Sequence, residues 1–284
     1  MKTARRWIAF TAVLSAAAAL TTGAQAMTAN ATPDGDGHPA VVALLQLRSP
    51  GVATMFCSGA LLSQSVVVTA SHCASYAATS LPTGTVLVTN DPVLTSDPAG
   101  RISLSSLAHV SVVSSIAVNP KYKPGVGTDS YREDVSAMVV ANPTALGRPS
   151  GIVFPKLPAA GLLDQLQRAG DLRTTPIQVM GYGTEAAVNG PGGHTFLDSN
   201  ERRFADMTIS ALNQEVIRES QKANQGSAGA CYGDSGGPTF ATINGNWTIL
   251  GVTSTGDIPC WSTNTAARID RSSVLAFLGA VTGR

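Results

Sequence analysis

From Val41 onward the chain breaks into short runs rich in β-branched residues, separated by clusters of Gly, Pro, Asn and Asp. Residues 41–47, 59–62, 66–70, 85–89, 110–118 and 136–141 form the first series. A Pro- and Gly-rich passage over residues 142–161 reads as a connection between two halves, and the runs resume at 177–181, 203–209, 238–243 and 247–254. Branched side chains are stiff at χ1 and suit a pleated surface, while turn residues at this spacing fold the chain back on itself. The pattern predicts an all-β domain, a barrel or a sandwich. Two stretches read as helix: residues 211–220 behind Ser210, and residues 271–279 behind Asp270, with Val274, Leu275 and Leu278 on one side. Residues 90–106 and 184–199 read as surface loops.

The beginning of the chain differs. Lys2, Arg5 and Arg6 precede an uncharged apolar stretch from residue 7 to 20, and Ala24-Gln25-Ala26 supplies small residues. That layout predicts a secretory signal peptide over residues 1–26, with an apolar part too short for a membrane span. Its removal would take three positive charges and no acid, lowering the formal charge from +1 to −2. A nucleic-acid or membrane-surface partner would want a basic face, so neither is expected, and the exported protein is read as a monomer. Four cysteines in an exported chain predict two disulfides, and arithmetic alone leaves three pairings. No pair stands at CxxC spacing, and no metal or other cofactor is expected.

Two short segments carry chemistry. One reads Val68-Thr69-Ala70-Ser71-His72-Cys73, the other Ala230-Cys231-Tyr232-Gly233-Asp234-Ser235-Gly236-Gly237-Pro238. A serine hydroxyl is a poor nucleophile at its own pKa and needs a base within hydrogen-bond reach. Ser235 on a glycine-flanked turn and His72 beside a cysteine suggest that pair. The two segments resemble the active-site signatures of the chymotrypsin-like (trypsin-fold) serine proteases, and the resemblance runs from about His38 to the final helix. It implies two packed antiparallel six-stranded β-barrels with a C-terminal helix, one over about residues 27–145 and the other over about 160–284. It also implies the disulfides Cys57–Cys73 and Cys231–Cys260.

The third catalytic group should be a carboxylate between these segments, entering a buried strand. In Tyr131-Arg132-Glu133-Asp134-Val135 the polar loop turns into an apolar run at Asp134, resembling the family's acid; Glu133 and Asp129 are the neighbouring candidates. The resemblance then gives Ser235 as nucleophile, His72 as base and Asp134 as the group that orients it. The N–H groups of Gly233 and Ser235 would form the oxyanion hole. Asp234 would pair with the α-amino group of Met27, exposed by signal cleavage. Gly229 and Ala230 would form a pocket floor without charge, and Ser254 and Gly256 would contact substrate backbone. These implications describe a secreted serine endopeptidase acting on proteins or peptides, with an uncharged P1 side chain. His38 reads as a turn residue, and His109 and His194 as surface positions.

Two rival readings fare worse. Gly233-Asp234-Ser235-Gly236-Gly237 also matches the nucleophile elbow of lipases, but there the histidine follows the serine, and all four histidines here precede it. A protease-like protein that only binds usually lacks part of the triad, whereas His72, Asp134 and Ser235 are all present.

Overall fold

A computed structural model describes residues 31–124, 132–147, 152–190, 193–198 and 201–283. Its first half contains β1 (Val41–Ser49), β2 (Val52–Leu61), β3 (Val66–Thr69), β4 (Val86–Thr89), β5 (Val110–Ala117) and β6 (Ser136–Val140). These pair antiparallel in the order β1, β4, β5, β6, β3, β2, and β2 returns to β1, closing a six-stranded ring. The second half contains β7 (Ile177–Gly181), β8 (Arg203–Leu212), β9 (Val216–Ser220), β10 (Pro238–Ile243), β11 (Asn246–Gly256) and β12 (Thr263–Arg268). Their order is β8, β9, β12, β11, β10, β7, and β7 returns to β8. The all-β, two-barrel expectation therefore holds. Closure removes the exposed edges that would otherwise invite pairing with other chains. A further short strand joins each ring: Arg101–Ser103 on β2 and Thr32–Pro33 on β8.

The period of two explains the packing. Along β1, Val41, Ala43 and Leu45 join one buried cluster, while Val42 and Leu44 join another. The second cluster includes Cys73, Ala74 and Ala77 of helix α1 (Ser71–Ser80). The first continues into the other half through Met180, Phe240, Ile249 and Val252, and reaches Val274 and Leu278 of the C-terminal helix α3 (Ser272–Thr282). A third cluster, with Leu163 of helix α2 (Leu162–Ala169), fills the second half. Buried Arg202 ties the halves together: it donates to Asp34 at 2.6 Å, to the Asn90 carbonyl at 2.9 Å and to the Tyr182 hydroxyl at 3.0 Å.

One helix expectation fails. Residues 211–220 are the end of β8 and all of β9. Asn213 makes the turn between them, its side-chain oxygen accepting from the N–H groups of Glu215 and Val216 at 2.8 Å each. Pairing of β9 with β12 overrides the helix propensity of Leu212, Gln214 and Glu215. The final helix forms, but Arg271 holds its N-cap position. Asp270 instead accepts from Arg268 at 2.8 Å and from the Leu163 N–H at 2.9 Å. Residues 184–199 contain a hairpin, Thr184–Gly190 with Gly193–Asp198. Both disulfides pair as the resemblance implied. No helix among the described residues is long and apolar enough to cross a membrane. Residues 1–26 and Met27 lie outside the described residues.

Candidate active site

His72 sits in the first turn of α1, directly after β3. Cys73 is bonded to Cys57 of β2, and the Ser71 hydroxyl shares a 2.7 Å hydrogen bond with Ser136 at the start of β6. These two ties hold the histidine against the strand that Asp134 enters. Glu133, with φ +45°, makes the bend that turns Asp134 inward, and Asp134 is fully buried. Its carboxylate accepts three hydrogen bonds: from the His72 backbone N–H at 2.8 Å, from His72 Nδ1–H at 2.8 Å and from Ser254 Oγ–H at 2.6 Å. A carboxylate only accepts, so Nδ1 carries a proton, and the neutral tautomer that this bond selects has its lone pair on Nε2.

Ser235 stands on a turn pinned from both halves. The Ser58 N–H of β2 donates to the Ser235 carbonyl at 2.8 Å, and the Gly236 N–H donates to the Thr253 carbonyl of β11 at 2.7 Å. Gly236 has φ +80°, and a Cβ there would stand 2.0 Å from Thr69 Oγ1, so neither its conformation nor its space admits a side chain. The Ser58 hydroxyl donates to the Gly233 carbonyl at 2.9 Å. Among the described residues, no acceptor is bonded to the backbone N–H of Gly233 or Ser235. Those two donors are thus available for an anionic oxygen.

His72 and Ser235 line one cavity of about 320 Å³, together with Ala230, Ser254, Gly256 and Asn264. Of the sequence candidates, Gly229 is absent from that wall; a Cβ on it would stand 2.3 Å from Gln221 Oε1. A second cavity of about 330 Å³, lined by Met55 and Tyr182, shares Tyr232 and Gly233 with the turn. Among the described residues, the cluster of ligating atoms at Cys57, Cys73 and His72 has both sulfurs in a disulfide. His38 and His109 also touch aspartates, Asp34 and Asp91, both at 2.5 Å, and each pair anchors its own loop.

Sequence reasoning missed several supports. Ser254, expected to meet substrate backbone, bonds Asp134. Gly181 and Gly183 make room for buried Asp234: a Cβ at either would stand 2.1 or 2.5 Å from its carboxyl oxygens. Asp234 accepts from the N–H groups of Gly183 and Cys231 at 2.8 Å each, and burial pushes its pKa up to about 7. Glu219 of β9 is equally buried, accepting from Thr239 and Asn264 at 2.7 Å each, and burial pushes it up to about 7 as well.

Glu219 sets a pH dependence. Its folded value lies above the ordinary 4.5, so the folded chain holds an extra proton between about pH 4.5 and 7. Stability is greatest at the acid end of that window and falls as pH rises, levelling above 7. Asp34, Asp164 and Asp257 are shifted down, so their stabilisation is lost only below pH 4. Thermal unfolding of the Ser235→Ala protein should therefore give a lower Tm at pH 8 than at pH 5. Glu219→Gln should remove part of that fall, on the order of 3 kcal/mol at full ionisation.

The sequence matches the family described as Trypsin over residues 30–276. Mouse vitamin K-dependent protein C is 29% identical over 220 residues, covering 73% of this chain and 42% of that relative. Human chymotrypsin-like elastase family member 1 is 26% identical, covering 74% of each chain. The venom peptide isomerase heavy chain of Agelenopsis aperta is 21% identical, covering 77% of this chain and 84% of the relative. The chain thus spans about two fifths of the length of the mouse and rat protein C relatives. One of these relatives is named an isomerase, so the reaction has to be argued from the site.

Proposed function

The chain belongs to the trypsin family of serine proteases, and on that premise we propose that it is a secreted endopeptidase using Ser235, His72 and Asp134. Ser235 Oγ attacks the scissile carbonyl while His72 Nε2 takes its proton and then delivers it to the leaving amine. Asp134 holds the ring in the required tautomer and stabilises the imidazolium that forms. The N–H groups of Gly233 and Ser235 receive the oxyanion, and water later releases the acyl group by the same proton route. The observation that carries this reading is the Asp134–His72 Nδ1 hydrogen bond at the edge of the cavity that also holds Ser235. The test is labelling by a fluorophosphonate, expected in the wild-type protein and absent in Ser235→Ala.

By the family resemblance Gly229 and Ala230 stand where a charged floor would select basic residues, and Ala230 lines the cavity of His72 and Ser235, which supports an uncharged P1 side chain. Ser254 and Gly256, on β11, would offer backbone to the substrate. Export is supported by the signal-like residues 1–26, and protein or peptide substrates follow from the family. Activation would use the Met27 α-amino group as the counter-ion of Asp234, since a fully buried carboxylate costs much less when paired. Among the described residues no cationic side chain forms an ion pair with Asp234. N-terminal sequencing of the active secreted protein should read Met27-Thr28-Ala29; a start well beyond Met27 would refute this activation route.

A further inference from the structure

Behind the cleft wall lies a polar cluster that the catalytic steps do not use. Glu219 on β9 faces Asn264 on β12 in register, and both side chains are sealed, at 0% and 2% exposure. Glu219 Oε1 accepts from the Thr239 hydroxyl, and Oε2 from Asn264 Nδ2, at 2.7 Å each. The Asn264 Nδ2 also lies 3.4 Å from Thr253 Oγ1. A carboxylate accepts only, so it dictates which end of the carboxamide faces it. The amide nitrogen is taken up inside. Among the described residues nothing donates to Asn264 Oδ1, and Asn264 lines the cavity of His72 and Ser235.

Gln221 holds a further acceptor behind Gly229, off the cavity wall. It is 1% exposed, its Nε2 donates to Asp257 at 3.3 Å, and its Oε1 is buried without a partner. That oxygen lies against Gly229, in the space a side chain there would occupy. A buried orphan acceptor is costly and asks for a donor. Asp257 also lines the cleft, but its carboxylate is spent locally on the N–H groups of Trp261, Ser262 and Thr263. A cationic P1 head would therefore meet a carboxylate already bonded by three backbone N–H groups. A P1 carboxylate would meet an acceptor with Glu219 behind it.

We infer that Glu219 is a positioning residue that turns the Asn264 carbonyl oxygen toward the cleft, so that the enzyme selects an uncharged P1 side chain carrying a hydrogen-bond donor, a glutamine carboxamide foremost. This rests on the peptidase reading above. Glutamine gains the bond that methionine, of similar shape, leaves unmade, which corresponds to about tenfold or more in kcat/KM. Glutamate is rejected more strongly, about 100-fold, because it adds repulsion to the missing bond.

The experiment compares four fluorogenic peptides differing only at P1, with Gln, Glu, Met and Lys. Rates are taken at pH 8.5, above the value of about 7 to which burial pushes Glu219, and normalised to sites titrated with a fluorophosphonate. The wild-type enzyme should prefer Gln. In Glu219→Gln the new amide donates to Asn264 Oδ1 and reverses that carboxamide, so the Gln-over-Glu ratio should fall at least tenfold. Asn264→Leu, a second variant, should erase the advantage of Gln over Met. A labelled wild-type enzyme that prefers Lys, or treats Gln and Met alike, overturns the inference alone. So does an unchanged Gln-over-Glu ratio in Glu219→Gln. A wild-type protein that takes no label and cleaves none of the four overturns the peptidase reading and the inference with it.

Discussion

Replacing Ser235 with alanine should lower kcat by about 10⁶-fold, because nucleophile and base act as one unit and removal of either ends the covalent route. Some acceleration over water should survive, since the Gly233 and Ser235 N–H donors belong to the backbone and remain. KM should change little. The fold should be kept: the ties of this turn run through the Ser235 carbonyl and the Gly236 N–H, which alanine leaves in place. Steady-state kinetics with a peptide substrate, beside a thermal melt of the same preparation, checks both halves of the expectation. A variant that keeps more than a few per cent of kcat would remove Ser235 from the mechanism.

The second large effect belongs to Asp134→Asn, expected to cost about 10⁴-fold in kcat. Three donors converge on this carboxylate, from the His72 backbone, the His72 ring and the Ser254 hydroxyl. A carboxamide offers one acceptor oxygen and one donor nitrogen in the same volume. If its NH₂ group faces the ring, Nδ1 must become the acceptor and the proton moves to Nε2. The imidazole then presents a proton to Ser235 where a lone pair is needed. Kinetics at rising pH should recover part of the loss as hydroxide substitutes for the base, while Ser235→Ala shows no such recovery. A loss of less than tenfold would indicate that another group orients His72.

Much of this was legible from residue order alone, for identifiable reasons. β7 and β10 fall on residues 177–181 and 238–243, as the branched runs indicate, because each is short and bounded by turn residues. β12 escaped notice. Its sequence Thr263-Asn264-Thr265-Ala266-Ala267-Arg268 has few branched apolar residues, and it becomes a strand because β9 and β11 flank it. Helix α1 leaves no local start signal because Ala70 at its N-cap has no capping side chain, and the helix takes its place from burial of Cys73, Ala74 and Ala77. Residues 211–220 misled because local propensity favoured helix where long-range pairing decided for strand. At the site, glycine-flanked Ser235 and His72 are local signals. The Ser254–Asp134 bond joins positions 120 residues apart and leaves no mark in either neighbourhood.

That last bond has an implication for how the molecule comes to life. Ser254 belongs to the second ring and Asp134 stands just before a strand of the first, so Asp134 has its full complement of donors only after both rings have docked. On the proposed mechanism a nascent chain with only the first ring formed holds His72 on Asp134 but has no Ser235 beside it, and is harmless to its neighbours. Competence to cut would arrive last, as a by-product of finishing the architecture.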